Sequence, residues 1–335
     1  MKRISLVVLI LCASVSVAWG QQRAGKCSND WTEFLRPNME RWNPCETVLT
    51  VNNVGNLALK WSYTTSDYVF SSPAVANGVA YVGSTDHNVY ALNAITGAKL
   101  WSYTTSGALG SSPAVANGMV YVGSNDHYVY ALKASTGTKL WSYATEGEVY
   151  SSPAVANGVV YAASRHNDAY AINASTGAKL WTFFTGYYVY SSPAVLNGVV
   201  YVGSYDNHVY ALKAKTGTKV WRYATGSYVL SSPAVANGVV YVGSYDGNVY
   251  ALNAKTGTRL WRYTTGGDVY SSPVVANGVV YIGSADKNLY ALNASAGTKL
   301  WSYTTGGGVY SSPAVANGVV YVGSDDGNVY AFGLK

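Results

Sequence analysis

Tryptophan recurs at 61, 101, 141, 181, 221, 261 and 301, and Ser-Ser-Pro at 71, 111, 151, 191, 231, 271 and 311. A strict 40-residue period over most of a chain means that one supersecondary unit is stacked repeatedly, and this limits the possible architectures more than any other feature. Within a unit the residues read as strand. In the fifth, Ser232 to Ala236 is a first strand, Asn237-Gly238 a two-residue hairpin turn, and Val239 to Ser244 a second strand. Val249 to Ala254 and Arg259 to Thr265 follow as third and fourth strands, with no competing helical period. Four antiparallel strands in about 40 residues are one propeller blade, so the fold class is all-β, a seven-bladed β-propeller.

The innermost strand must be slim where blades converge, and Ser-Ser-Pro-Ala-Val fits, with proline at a strand start where no N–H is needed. The tryptophan of the outermost strand can fill the widening gap between blades. These repeated residues are therefore structural. Leu57 to Thr64 is an outer strand without three inner ones, and Ser311 to Phe332 gives three inner strands without an outer one. Joined, they complete a seventh blade and close the ring with no open edge.

The segment ALNAKTGTRLW and its variants carry a resemblance. They are similar to the tryptophan-docking motif A-x-D-x-x-T-G-x-x-x-W of the pyrroloquinoline quinone (PQQ)-like repeat family, in the quinoprotein alcohol dehydrogenase-like superfamily. The resemblance covers 57 to 335 and implies docking roles for Trp61, Trp101, Trp141, Trp181, Trp221, Trp261 and Trp301. The motif aspartate is replaced by Asn93, Lys133, Asn173, Lys213, Asn253 and Asn293, which is expected to weaken a local turn bond. The family's dehydrogenases have eight blades, calcium-held PQQ, an aspartate base and usually adjacent cysteines. This chain offers seven blades and no adjacent cysteines, so the resemblance implies the non-enzymatic type, with no cofactor and no catalytic residue.

Residues 1–20 read as a secretory signal peptide: Lys2 and Arg3, an apolar run from Ile4 to Ala13, then small residues to Ala18 or Gly20. An N-terminal extension, 21–56, precedes the propeller, 57–335. Export leaves Cys27 and Cys45, which an oxidising compartment favours pairing. A disulfide there stabilises by about 3 kcal/mol in the chain-entropy model; free thiols or metal ligation are the alternatives. Without Lys2 and Arg3 the net charge falls from +6 to +4, with no clustered basic patch of the kind nucleic acid requires. No run spans a membrane, and an exported monomer, periplasmic or extracellular, is expected.

In an up-and-down blade, alternate connections emerge at opposite ends. The lower turns barely vary. The upper links read SDYVF, SGALG, EGEVY, GYYVY, GSYVL, GGDVY and GGGVY, and the upper turns TDHN, NDHY, RHND, YDNH, YDGN, ADKN and DDGN. All twelve acidic residues of the array lie there, joined from the basic side by Arg165 and Lys287 alone. A molecule charged in this way can orient toward a partner. Asp in a turn also bonds nearby backbone, and that role accounts for the six aspartates that recur in register.

His87, His127, His166 and His208 share the upper turns, but neighbouring turns about 12 Å apart cannot converge on one ion at about 2 Å, so no metal is expected. The expected binding residues are Tyr187, Tyr188 and Tyr228 with Glu148 and Asp268 beside them, presenting ring faces and carboxylates to a sugar or a cationic group. Tyr150, Tyr190, Tyr270 and Tyr310 share one register and are expected to pack between blades. A non-enzymatic binding or scaffold module with a protein or glycan partner leads. The alternatives are a PQQ-dependent oxidoreductase with a degenerate site and a purely structural envelope protein.

Overall fold

A computed structural model describes residues 59–316 and 319–333. The expected signal peptide and N-terminal extension, with Cys27 and Cys45, lie outside them. Twenty-seven strands form seven antiparallel sheets, and no helix occurs among the described residues. The first sheet is β1 (Ala74–Ala76), β2 (Val79–Gly83), β3 (Asn88–Asn93) and β4 (Lys99–Thr104), hydrogen-bonded in chain order. Five further sheets repeat this order. The seventh has three strands, β25 (Ala314–Ala316), β26 (Val319–Gly323) and β27 (Val329–Phe332). Residues 59–65 form no strand, and the outer edge of β27 has no partner strand among the described residues.

First strands are shorter than the sequence suggests. In the fifth unit pairing starts at Ala234, because Pro233 has no N–H and the Ser232 N–H is used elsewhere. It donates to the Ser272 hydroxyl of the next unit at 2.9 Å. The same bond runs from Ser72 to Ser112, Ser152, Ser192 and Ser232, and from Ser272 to Ser312, at 2.9–3.1 Å. A line of serines thus stitches the inner strands of all seven sheets. The lower hairpins are as expected: Asn237 and Gly238 take φ of 50° and 76°, the left-handed pair that matches strand twist.

Core packing runs between sheets. The Trp181 indole N–H donates to the Ala214 carbonyl of the next sheet at 2.8 Å, and Trp61, Trp101, Trp141, Trp221 and Trp261 repeat this 33 residues ahead. Gly217 (φ 69°) lies under the Trp181 ring, where a Cβ would come within 2.7 Å. Asparagine in place of the motif aspartate keeps a side-chain bond in the turn. The Asn253 side-chain oxygen accepts the Lys255 and Thr256 N–H groups at 3.0 Å, and Asn93, Asn173 and Asn293 do the same. At Lys133 and Lys213 the backbone carbonyl accepts the N–H of Thr136 and Thr216 instead.

Candidate functional site

Each upper link is held on both sides by backbone. The Val189 N–H donates to the Ser164 carbonyl of the preceding sheet's turn, and the Tyr188 carbonyl accepts the Tyr205 N–H from its own sheet's turn. Val229 and Val269 repeat the first bond, and Tyr228 and Asp268 the second. The valines are fully buried. The side chains around each valine, and the first turn residue 16 positions after it, therefore stand side by side on a fixed frame.

In the later units those positions hold tyrosine. Tyr187 and Tyr188 have ring centroids 4.6 Å apart, and both approach Tyr205 at 6.2 and 6.3 Å. Tyr205 stacks on Tyr228 at 4.6 Å. Tyr228 meets Tyr245 at 5.9 Å, Tyr245 meets Tyr270 at 4.1 Å, and Tyr270 meets Tyr310 edge-on at 4.9 Å. On the other side Tyr190 contacts Tyr205 at 5.1 Å and Tyr150 at 5.6 Å. Nine tyrosines form one contiguous crescent from the third to the seventh sheet, and Tyr187 and Tyr228 remain 46% and 42% exposed.

Tyr187, Tyr188 and Tyr228 thus come together through Tyr205, which sequence reasoning did not single out, nor did it single out Tyr245. Tyr150, Tyr190, Tyr270 and Tyr310 do touch across neighbouring sheets, but as members of the crescent. Glu148 reaches it through Arg165, another residue not anticipated. The two form an ion pair, and the guanidinium lies 5.4–5.8 Å from the ring centres of Tyr188, Tyr190 and Tyr150. Asp268 lies on the link into the sixth sheet, two residues before Tyr270, and its side chain has no ion pair among the described residues. Burial raises the pKa of the Tyr190, Tyr205 and Tyr245 phenols, with a bond to Tyr270 adding to the effect at Tyr245. These three phenols are neutral over the physiological range.

The six recurring aspartates have a structural role. Asp86, Asp126, Asp206, Asp246, Asp286 and Asp326 each accept the hydroxyl of the tyrosine four residues on, at 2.5–2.7 Å. Asp286 also accepts the Gly266 and Asn288 N–H groups. Burial pushes its carboxyl up, but these bonds outweigh that and hold it below the ordinary value. A depressed carboxylate contributes stability that is present above its unfolded pKa and lost as pH falls through the folded one. Asp286→Asn should therefore lose about 1–2 kcal/mol at neutral pH, with the deficit closing in acid. Urea titrations across pH check this, and a pH-independent deficit would refute it.

The third sheet departs from this pattern. His166 replaces the aspartate, and Tyr170 donates to the buried Asp168 at 3.1 Å. Burial, with Glu146 adding, raises the Asp168 pKa. Its charge therefore costs stability at neutral pH, a cost relieved as pH falls through the raised value, so Asp168→Asn should be neutral or stabilising where Asp286→Asn is not. The His166 Nδ1 lies 3.2 Å from Glu146 and 3.5 Å from Asp168. These three could hold a divalent ion, their ligand atoms lying within 4.8 Å of one another. The four histidines do not share one register. His87 and His127 take the left-handed third turn position, His166 the second and His208 the fourth, where its Nδ1 contacts the Asp206 carbonyl at 2.8 Å. At the lower end, Leu196, Val235, Val275, Trp301 and Phe332 line a cleft of about 1130 Å³.

A family model described as outer membrane protein assembly factor BamB matches residues 57–108, 85–187, 189–270 and 264–335. Among solved structures, BamB from Moraxella catarrhalis is 23% identical, with a TM-score of 0.73 over 83% of this chain and 88% of that one. The computationally designed protein Ika8 is 18% identical, with a TM-score of 0.72 over 79% and 83%. At these identities the likeness is one of fold. No curated protein matches the chain. No helix of the described residues is long and apolar enough to cross a membrane.

Proposed function

This chain belongs to the PQQ-like repeat family described as outer membrane protein assembly factor BamB, and on that premise we propose that it is an exported, non-enzymatic propeller that binds a protein or glycan partner through its tyrosine-rich upper face. The observation that carries this reading is the crescent. Contiguous, half-exposed rings on a backbone frame clamped from both sides form a pre-organised apolar surface with polar tips, of the kind interaction sites use. The non-enzymatic part is supported by the turn carboxylates, which accept phenol and backbone donors and serve as structural acceptors. The family description, an assembly factor, agrees with a protein partner in the cell envelope.

The same reading closes the ring with residues 57–64 alongside β27 and keeps the protein monomeric. Trp61 supports it, since its indole N–H reaches the Ala94 carbonyl at 3.1 Å, the bond that Trp101, Trp141, Trp181, Trp221 and Trp261 also make. The test is a glycan array and an envelope pull-down with the wild type and with Tyr187→Ala/Tyr188→Ala. The double variant should keep its circular dichroism and melting temperature and retain about a tenth or less of the partner, in line with loss of two aromatic anchors. Equal recovery of the same partners would move the site to the basic lower face.

A further inference from the structure

The repeat brings one structural environment back with its central residue removed. In the third sheet Arg165 sits against Tyr150, Tyr188 and Tyr190 and pairs with Glu148. Three units later, 120 residues on, the equivalents of Glu148, Tyr150 and Tyr190 are Asp268, Tyr270 and Tyr310. The equivalent of Arg165 is Ala285. The carboxylate and two aromatic walls recur, and the guanidinium between them does not.

The rest of the sixth-sheet site has adjusted to that loss. Tyr188 becomes Gly308, and the Tyr310 ring lies across it, where a Cβ would come within 2.6 Å. A third ring is regained from the preceding sheet, since Tyr245 approaches Tyr270 at 4.1 Å where the third sheet has only Asn125 as its counterpart. Tyr150 and Tyr190, beside a guanidinium, are 5.6 Å apart. Tyr270 and Tyr310, without one, close to 4.9 Å edge to face. The Ala285 N–H still donates to the Asp268 carbonyl at 2.9 Å, as the Arg165 N–H does to Glu148, so the backbone frame is the same. Lys287, on the same turn, makes no ion pair with Asp268.

We infer that Asp268, Tyr245, Tyr270 and Tyr310 form a receptor site for an arginine side chain of the partner, whose guanidinium would take the place that Arg165 holds in the third sheet. This rests on the upper-face reading and names the chemistry recognised there. A planar guanidinium suits it better than an ammonium because it can stack on a ring while donating to the carboxylate.

The probe is N-acetyl-arginine amide, with the isosteric, uncharged N-acetyl-citrulline amide as control, read by saturation-transfer NMR on the full chain. Transfer to the arginine compound should exceed that to citrulline by about tenfold, the size that a cation–π contact with a partly exposed ion pair supports. Ala285→Arg supplies the guanidinium from within and should abolish the difference. Asp268→Asn, which leaves packing intact, should reduce it several-fold. A signal indifferent to charge, or to both substitutions in folded protein, overturns the arginine site and leaves the Tyr187/Tyr188 pull-down unaffected. A pull-down indifferent to Tyr187 and Tyr188 overturns the wider reading whatever arginine amide does.

Discussion

Replacing Trp181 by alanine is expected to destabilise the protein by about 3–5 kcal/mol, the range for removing a large buried aromatic side chain. The indole is 7% exposed and belongs to a core shared by two sheets, with Tyr161 from its own and Val200, Val202, Tyr210 and Leu212 from the next. Its removal leaves a cavity over Gly217 that this rigid turn cannot collapse into. The Ala214 carbonyl keeps a bond from the Tyr161 hydroxyl at 3.3 Å, so the loss is mainly one of packing. Trp301 holds the same register but is 39% exposed, so Trp301→Ala should cost roughly half as much or less. Urea denaturation of the two variants decides the matter, and equal losses would contradict the ranking.

Deleting residues 57–64 is expected to lower stability by a similar 3–5 kcal/mol and to make the protein self-associate. The described part of this segment places Trp61 and Tyr63 over Val82, Tyr90 and Leu92, with the Tyr63 and Tyr90 rings 5.3 Å apart. Without it the first sheet loses that cover. If the segment also lies along β27, its loss leaves an unpaired edge bearing Val329, already 80% exposed, and such edges pair with other chains. Trp61→Ala separates the two effects, because it removes the indole's cover and keeps the backbone of the segment. Light scattering should find the deletion oligomeric and Trp61→Ala monomeric. A deletion variant that is monomeric and as stable as wild type would refute the closure.

The blades were legible because the period is exact and its turn signals are strong: Asn-Gly at one end and Thr-Gly near the Trp leave few ways to arrange four strands. Strand starts were legible only to within two residues, since nothing local says that the Ser232 N–H will bond a serine 40 residues away. The variable links pointed to Tyr187, Tyr188 and Tyr228. Tyr205, Tyr245 and Arg165 were missed because the 17-residue offset that sets turn beside link is a backbone hydrogen bond, not a pattern of side chains. The aspartate–tyrosine bond had a visible signal, D-x-x-x-Y, in six units, broken at His166-Asn167-Asp168-Ala169-Tyr170.

The inter-sheet bonds described above span 33, 40 or 53 residues: indole to alanine, serine to serine, and phenol to alanine. None of these bonds must wait for the far end of the chain. For a chain that emerges N-terminus first from the ribosome or from an export channel, each unit can dock on its predecessor before later units have emerged. The order of emergence becomes the order of assembly, and the chain never needs to search all of its near-identical units at once for the right neighbour. A sequence so repetitive would otherwise invite pairing between the wrong copies; vectorial docking gives every copy its correct partner first.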